Sequence, residues 1–253
     1  KNVMNEMKLR LGWGVTGQQD IGDSYYPYLA TYVASVQGSN YPSLSGNGFI
    51  STMYPTGYDP KLKWEETTTW NAGFDFAFLN NRITASIDYY LRKSKDLLSY
   101  VSVPSGSSTT NMMNQNIGTL KNEGIEFSIT ARPIVTNDFT WTASYNVAYN
   151  KNRITKLNND GSYIETGAIS SGNGNNCQVQ AVGHSVNSFF LFEQVYDKNG
   201  KPLEGVYVDQ NGDGVINDDD RRIRHSKDPK VTMSFSSTFN WKNWDLGFAL
   251  HAN

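Results

Sequence analysis

From Trp70 the chain alternates with a period of two. Trp70, Ala72, Phe74, Phe76 and Phe78 share one face of an extended strand, and Asn71, Gly73, Asp75 and Ala77 share the other. Asn80-Asn81 supplies residues that tolerate the positive φ of a two-residue hairpin turn. Ile83, Ala85, Ile87, Tyr89 and Leu91 then resume the apolar stripe, opposed by Thr84, Ser86, Asp88, Tyr90 and Arg92. The construction recurs in Ile125, Phe127, Ile129 and Ala131, a short connection from Pro133 to Asp138, and Phe139, Trp141, Ala143, Tyr145, Val147 and Tyr149. A third hairpin runs through Val231, Met233, Phe235, Ser237 and Phe239, turns at Trp241-Lys242-Asn243, and returns through Trp244, Leu246, Phe248, Leu250 and Ala252. Met7, Leu9, Leu11, Trp13 and Val15 make a seventh stripe.

None of these 35 stripe positions is charged, although charged residues make up 18% of the chain. The opposite faces carry Lys8, Arg10, Asp75, Asp88, Arg92, Glu126, Arg132 and Asp245. Hydrocarbon imposes that division, because a Lys or Arg at the midplane of a membrane barrel costs about 2–4 kcal/mol. Aromatic side chains gather toward the stripe ends, with Trp13, Trp70, Tyr89, Tyr145 and Tyr149 at one and Phe78, Phe139, Trp141, Phe239 and Trp244 at the other. Ala72, Ile87, Ile129 and Leu246 fill the middle, the distribution expected of interfacial girdles. A soluble β-sandwich, as in an adhesion or carbohydrate-binding module, would also alternate, with its stripe turned to a dry core. Detergent dependence separates the two.

Connections fall into two populations. Short turns alternate with long segments at 16–67, 93–122 and 151–230, expected to be extracellular loops because bacterial barrels keep their short turns on the periplasmic side. The first is rich in tyrosine (Tyr25, Tyr26, Tyr28, Tyr32, Tyr41, Tyr54, Tyr58), which can stack on a sugar, make a flat protein contact, or pack the loops against one another, the last being the ordinary reading. Gly161 to Asn176 is low in complexity and expected to be mobile.

Composition removes several classes. No apolar run of about 18 residues is present for a membrane helix, and a formal charge of −2 gives no footprint for nucleic acid. Cys177 is alone, so neither an intramolecular disulfide nor a multi-cysteine metal site can form. No basic-then-apolar leader opens the chain, and seven strands do not close an even-numbered barrel, so an internal fragment of a larger protein is expected.

The stretch Asp209 to Asp220 (DQNGDGVINDDD) follows the twelve-residue calcium-loop spacing. Asp209, Asn211 and Asp213 stand at positions 1, 3 and 5, Gly214 at the sharp turn, Val215 offers a carbonyl at position 7, and Asp220 closes position 12. Asp in place of the longer Glu at position 12, and no helix pair around the loop, depart from the template. An acidic turn bonded to its own backbone is the alternative. His184, His225 and His251 lie in unrelated contexts, Glu65-Glu66 and Asp218-Asp219-Asp220 are adjacent acids without a pocket, and no catalytic constellation is present; an enzyme is not expected.

Asp59-Pro60-Lys61-Leu62-Lys63-Trp64-Glu65-Glu66-Thr67 resembles a segment of SusC/RagA-type TonB-dependent transporters. Gly73-Phe74-Asp75, Asn81-Arg82-Ile83 and Asp88-Tyr89-Tyr90 follow in the order of that family. Asn116-Ile117-Gly118, Asn122-Glu123-Gly124-Ile125-Glu126, Asp138-Phe139-Thr140-Trp141 and the Asp209–Asp220 loop continue the likeness; Asp59 replaces the usual Asn. The resemblance implies an all-β fold, part of a barrel of about 22 strands plugged by an N-terminal domain. It also implies energy drawn through TonB, a SusD-like surface lipoprotein partner, and import of oligosaccharides or peptides across the outer membrane. Plug and TonB-box residues lie outside this sequence.

Overall fold

The computed structural model describes residues 3–18, 28–34, 40–43, 46, 48–103, 106, 110–157, 163–168 and 176–253. In chain order the strands are β1 (Met4–Gly17), β2 (Tyr32–Ala34), β3 (Asn40–Pro42), β4 (Phe49–Ser51), β5 (Met53–Pro55), β6 (Glu66–Phe78), β7 (Ile83–Ser102), β8 (Met112–Val135), β9 (Phe139–Leu157), β10 (Tyr163–Ala168), β11 (Asn176–Ala181), β12 (Ser188–Leu191), β13 (Gln194–Tyr196), β14 (Pro202–Tyr207), β15 (Arg222–Ser226), β16 (Val231–Trp241) and β17 (Trp244–Ala252). The seven long strands form one open sheet, β1-β6-β7-β8-β9-β16-β17. Their order is chain order, as expected for a section of barrel wall.

Contacts divide the chain into two compact units, one of Lys1–Gly14, Thr68–Lys93 and Leu120–Asn253, the other of Val15–Thr67 and Ser94–Thr119. In the first unit the register joins stripe to stripe. Trp141 pairs with Phe239 and Phe239 with Leu246, while Tyr145, Phe235 and Leu250 form another row. Many stripe side chains are open to the surroundings, from Trp244 at 75% exposed to Phe74 at 36%, others are half-buried between neighbours, and none of the buried apolar residues among those described belongs to the stripes. A sandwich would have closed these rows over a core; here they face outward, as lipid contact requires.

The turn after β6 uses positive φ at Leu79, Asn80 and Asn81, closed by Arg82 N–H to Leu79 O at 3.3 Å. Three connections differ from the expected bounds, this one first, because it spans the four residues 79–82 rather than two. β8 continues through Pro133 to Val135, and the turn is Thr136 to Asp138, where Phe139 N–H donates to Thr136 Oγ1 at 2.9 Å. Trp241 still pairs with Trp244, leaving Lys242-Asn243 as the turn.

The long segments hold more structure than their sequence announces. β7 and β8 run well into 93–122, leaving 103–111 as the connection. Segment 151–230 contains a four-stranded sheet, β10-β11-β12-β15, and the β13-β14 hairpin. Val179, Ala181 and Phe190, with Ile223 against them, form its core. Within Gly161 to Asn176, Tyr163–Ala168 is strand and Asn176 begins another; the remainder, with Gly161, Ser170, Ser171, Gly172, Gly174 and Asn175, lies outside the described residues. In the second unit β2 pairs with β5 and β3 with β4.

Candidate functional site: the polar face and the folded connections

The face opposite the stripes is held together by side chains that reach between strands. Ser86 and Ser128 hydroxyls lie 2.7 Å apart, Thr130 and Ser144 2.9 Å, and Asn146 Nδ2 donates to Ser234 Oγ at 3.2 Å. A shallow depression of mixed character is lined by Ser86, Asp88, Glu126, Asn146 and His251 together with Val147 and Met233.

Two longer reaches explain glycines in the sequence motifs. Arg10 on β1 donates twice to Asp75 on β6, each at 2.8 Å, and passes on to Asp88 on β7 at 3.0 Å. It crosses β6 over Gly73, where a Cβ would stand 2.9 Å from its guanidinium nitrogen. Tyr90 on β7 likewise crosses β8 over Gly124 to donate to Asn150 Oδ1 on β9 at 2.9 Å; a Cβ on Gly124 would lie 2.5 Å from the phenolic oxygen and 2.6 Å from Tyr149 O. Each glycine is thus a saddle for a side chain from the neighbouring strand, which covers the bare backbone in return. Charge alternation marked Arg10, Asp75 and Asp88 as facing a lumen. It could not show that they join, since the three lie far apart in sequence.

In the second unit, Asn116 replaces a backbone partner. Its Oδ1 accepts from Lys63 N–H at 2.8 Å, while Nδ2 donates to Lys63 O at 3.0 Å and to Asp96 O at 2.7 Å. Asp59 Oδ1 accepts from Lys61 N–H at 2.8 Å, so a carboxylate does the turn-forming work expected of the family's Asn. The described tyrosines of the first connection, Tyr28, Tyr32, Tyr41, Tyr54 and Tyr58, are 42–68% exposed within this chain. Tyr25 and Tyr26 lie outside the described residues.

The acidic loop is closed by its own amides. Asp209 accepts from Gly212 N–H at 2.7 Å and Gly214 N–H at 2.8 Å, and Asp213 Oδ1 from Val215 N–H at 2.8 Å. Asn211 Nδ2 donates to Asp213 Oδ2 at 3.0 Å. Asp220 is fully buried and accepts from Gln210 N–H at 2.8 Å and Asn217 N–H at 2.9 Å. Backbone amides from Asn217 and Gln210 hold its carboxyl below the usual carboxylate range against the opposing effect of burial. Gly212 and Gly214 supply the positive φ, +77° and +79°, that bends the chain. Asp209, Asn211, Asp213, Val215 and Asp220 therefore share one loop. Among the described residues, however, no three acidic, His or Cys side chains converge as a metal cage, and the donor set fits a self-capped turn.

Beside the loop, Arg221 stacks on Phe190 with its guanidinium carbon 4.3 Å from the ring centre and donates to Glu165 Oε1 at 2.5 Å. Arg224 pairs with Glu193, which also accepts from Gln210 Nε2 at 2.8 Å. These pairs tie the loop to β10 and β12, and spacing gave no sign of them. His184, His225 and His251 are exposed on separate elements. Cys177 donates weakly to Gly167 O at 3.1 Å.

Comparison with known proteins agrees with the geometry. The family described as TonB dependent receptor-like, beta-barrel matches residues 2–251. TonB-dependent receptor SusC of Bacteroides thetaiotaomicron is 49% identical over the whole chain, which covers 25% of that protein. TonB-dependent receptor P3 of Formosa agariphila is 32% identical, also over the whole chain and 26% of its own length. Among solved structures, the RagAB peptide importer in its open-open state superposes with a TM-score of 0.75 at 27% identity, over 98% of this chain and 26% of that one. The structure titled the RagAB peptide transporter gives 0.77 at 24% identity, over 99% and 27%. The chain spans about a quarter of the length of the curated relatives it matches. With its outward stripes and bonded polar face, it belongs to the TonB-dependent receptor-like β-barrel family, in the SusC/RagA group of outer-membrane proteins.

Proposed function

We propose that this chain is part of the wall of a transporter that imports oligosaccharides or peptides across the outer membrane. It would draw energy through TonB and work with a SusD-like surface lipoprotein. The observation that carries the reading is the division of one sheet into a bare apolar face and a hydrogen-bonded charged face, together with 49% identity to SusC over its whole length. Such a sheet separates lipid from a wet lumen. Segments 16–67, 93–122 and 151–230 stand at the cell surface in this reading, and the exposed tyrosines of the first offer flat contacts to substrate or lipoprotein. The test is uptake of a panel of labelled oligosaccharides and peptides by cells carrying or lacking the full-length gene. Uptake that needs the gene and disappears when TonB is removed supports the proposal; uptake indifferent to both overturns it.

For the acidic loop, the calcium-loop spacing supports a second proposal, that calcium when supplied takes oxygens now bonded to amides. Calorimetric heat with calcium, abolished by Asp213→Ala, supports it, and no heat from the intact loop ends it.

A further inference from the structure

On the outward face, just beyond the aromatic ends of the stripes, the sequence changes from uncharged to basic. Stripe parity continues from Leu91 to Lys93, from Ile125 back through Glu123 to Lys121, and from Tyr149 to Lys151 and Arg153. Side chains fix how these strands align. The Ser86–Ser128 hydroxyl pair sets β7 against β8, and Val103 N–H to Asn111 O at 2.9 Å closes the same register at the far end. Two-residue steps along it bring Lys93 opposite Lys121. The Thr130–Ser144 pair does the same for β8 and β9, bringing Lys121 opposite Arg153 and Glu123 opposite Lys151. Lys93 lies 5.6 Å from the ring centre of Trp70, a stripe residue, which confirms the face. Glu123 bonds Lys121 at 2.7 Å and lies within electrostatic reach of Lys151 and Arg153.

Four cations therefore surround one carboxylate across three adjacent strands, with Lys93, Lys151 and Arg153 exposed. Like charges placed directly opposite on a sheet repel. Beneath them lie Trp70, Tyr89 and Tyr149, the level at which a bilayer passes from acyl chain to headgroup. We propose that Lys93, Lys121, Lys151 and Arg153 form a binding strip for the phosphates of an outer-leaflet glycolipid, with its acyl chains lying along the stripes below. Clustered Lys and Arg at a membrane boundary attract anionic headgroups in this way. The orientation rests on the proposed exposure of the long connections, but the strip does not depend on what is transported.

The test is native mass spectrometry of the full-length protein in detergent with added lipid A, either bis-phosphorylated or dephosphorylated. The wild-type protein should retain the phosphorylated form, and the double variant Lys151→Gln/Arg153→Gln about tenfold less, with heat-shifted gel mobility reporting that the barrel still folds. Lys151→Arg should retain the lipid. Equal retention by wild type and double variant, equal retention of dephosphorylated lipid, or displacement by low-millimolar inorganic phosphate would each overturn the assignment. Labelled-solute uptake by the same variant reads the transport proposal separately, and an impermeant maleimide on Lys93→Cys in a Cys177→Ser background, against that background alone, reads the orientation in whole cells.

Discussion

Trp141 Nε1–H donates to Ser237 Oγ at 2.9 Å across the β9–β16 pair. Ser237 is the one aliphatic hydroxyl among the stripe positions and is 2% exposed. The indole covers it and satisfies it, so a polar atom sits at the lipid face without meeting hydrocarbon. Stacking with Phe239 at 5.7 Å holds the indole in place.

Trp141→Phe in the full-length protein should therefore cost about 1–3 kcal/mol, because the hydroxyl is stranded. Ser237→Ala should cost less, and the double variant should recover much of the loss. A double-mutant cycle of unfolding midpoints in detergent measures this, and simple additivity would show that the bond does not matter.

Gly124→Ala should destabilise the wall by about 1–3 kcal/mol, as overpacking does, since its Cβ meets a backbone oxygen that cannot step aside. Tyr90→Phe should cost less, for it removes only the bond to Asn150. Thermal midpoints that put Tyr90→Phe below Gly124→Ala would contradict the saddle arrangement.

Lowering pH should loosen the acidic loop late. Asp220 has a depressed carboxyl pKa in the folded loop, so its contribution is fully present above the unfolded carboxylate range, about pH 4, and is lost as pH falls through the folded value. Protection of the Gln210 and Asn217 amides from hydrogen exchange, taken relative to the intrinsic rate at each pH, should hold at pH 5 and fall only below about pH 4. Loss of protection already at pH 5 would refute the assignment, as would the same loss below pH 4 in Asp220→Asn, which has no carboxyl to titrate.

Arg221→Lys should unsettle the β10–β12 sheet while leaving the wall intact. Lysine keeps the charge but loses the flat stacking on Phe190, a contact of about 1–2 kcal/mol when desolvated, and the forked geometry facing Glu165. Faster proteolysis within 163–226, with unchanged heat-shifted mobility of the barrel, is the expected pair of results.

Much of this protein is written in local pattern. Alternation around Phe74, Ile87, Phe127 and Leu246 determined the strands and their two faces, because the side-chain period of an extended chain is two whatever surrounds it. The absence of charge on the stripes determined their surroundings, because hydrocarbon excludes ions at any position it touches. The reversal at Asn80-Asn81 was legible, since few residues accept its dihedral angles, but the part that Leu79 plays in it at positive φ was not.

What only the tertiary structure decided are the meetings of residues distant in sequence. The Arg10–Asp75–Asp88 clamp joins three strands over Gly73, and Asn116 holds Lys63 from 53 residues away. Pattern marks such residues as polar but cannot name their partners, which depend on register and on which glycine leaves a path. The small sheet within 151–230 was hidden for a related reason: its strands are short and its core is the handful Val179, Ala181, Phe190 and Ile223, too few positions to impress a period on the sequence. The acidic loop shows the same limit, for spacing put its oxygens in one turn, and the folded backbone determined which amides they bind.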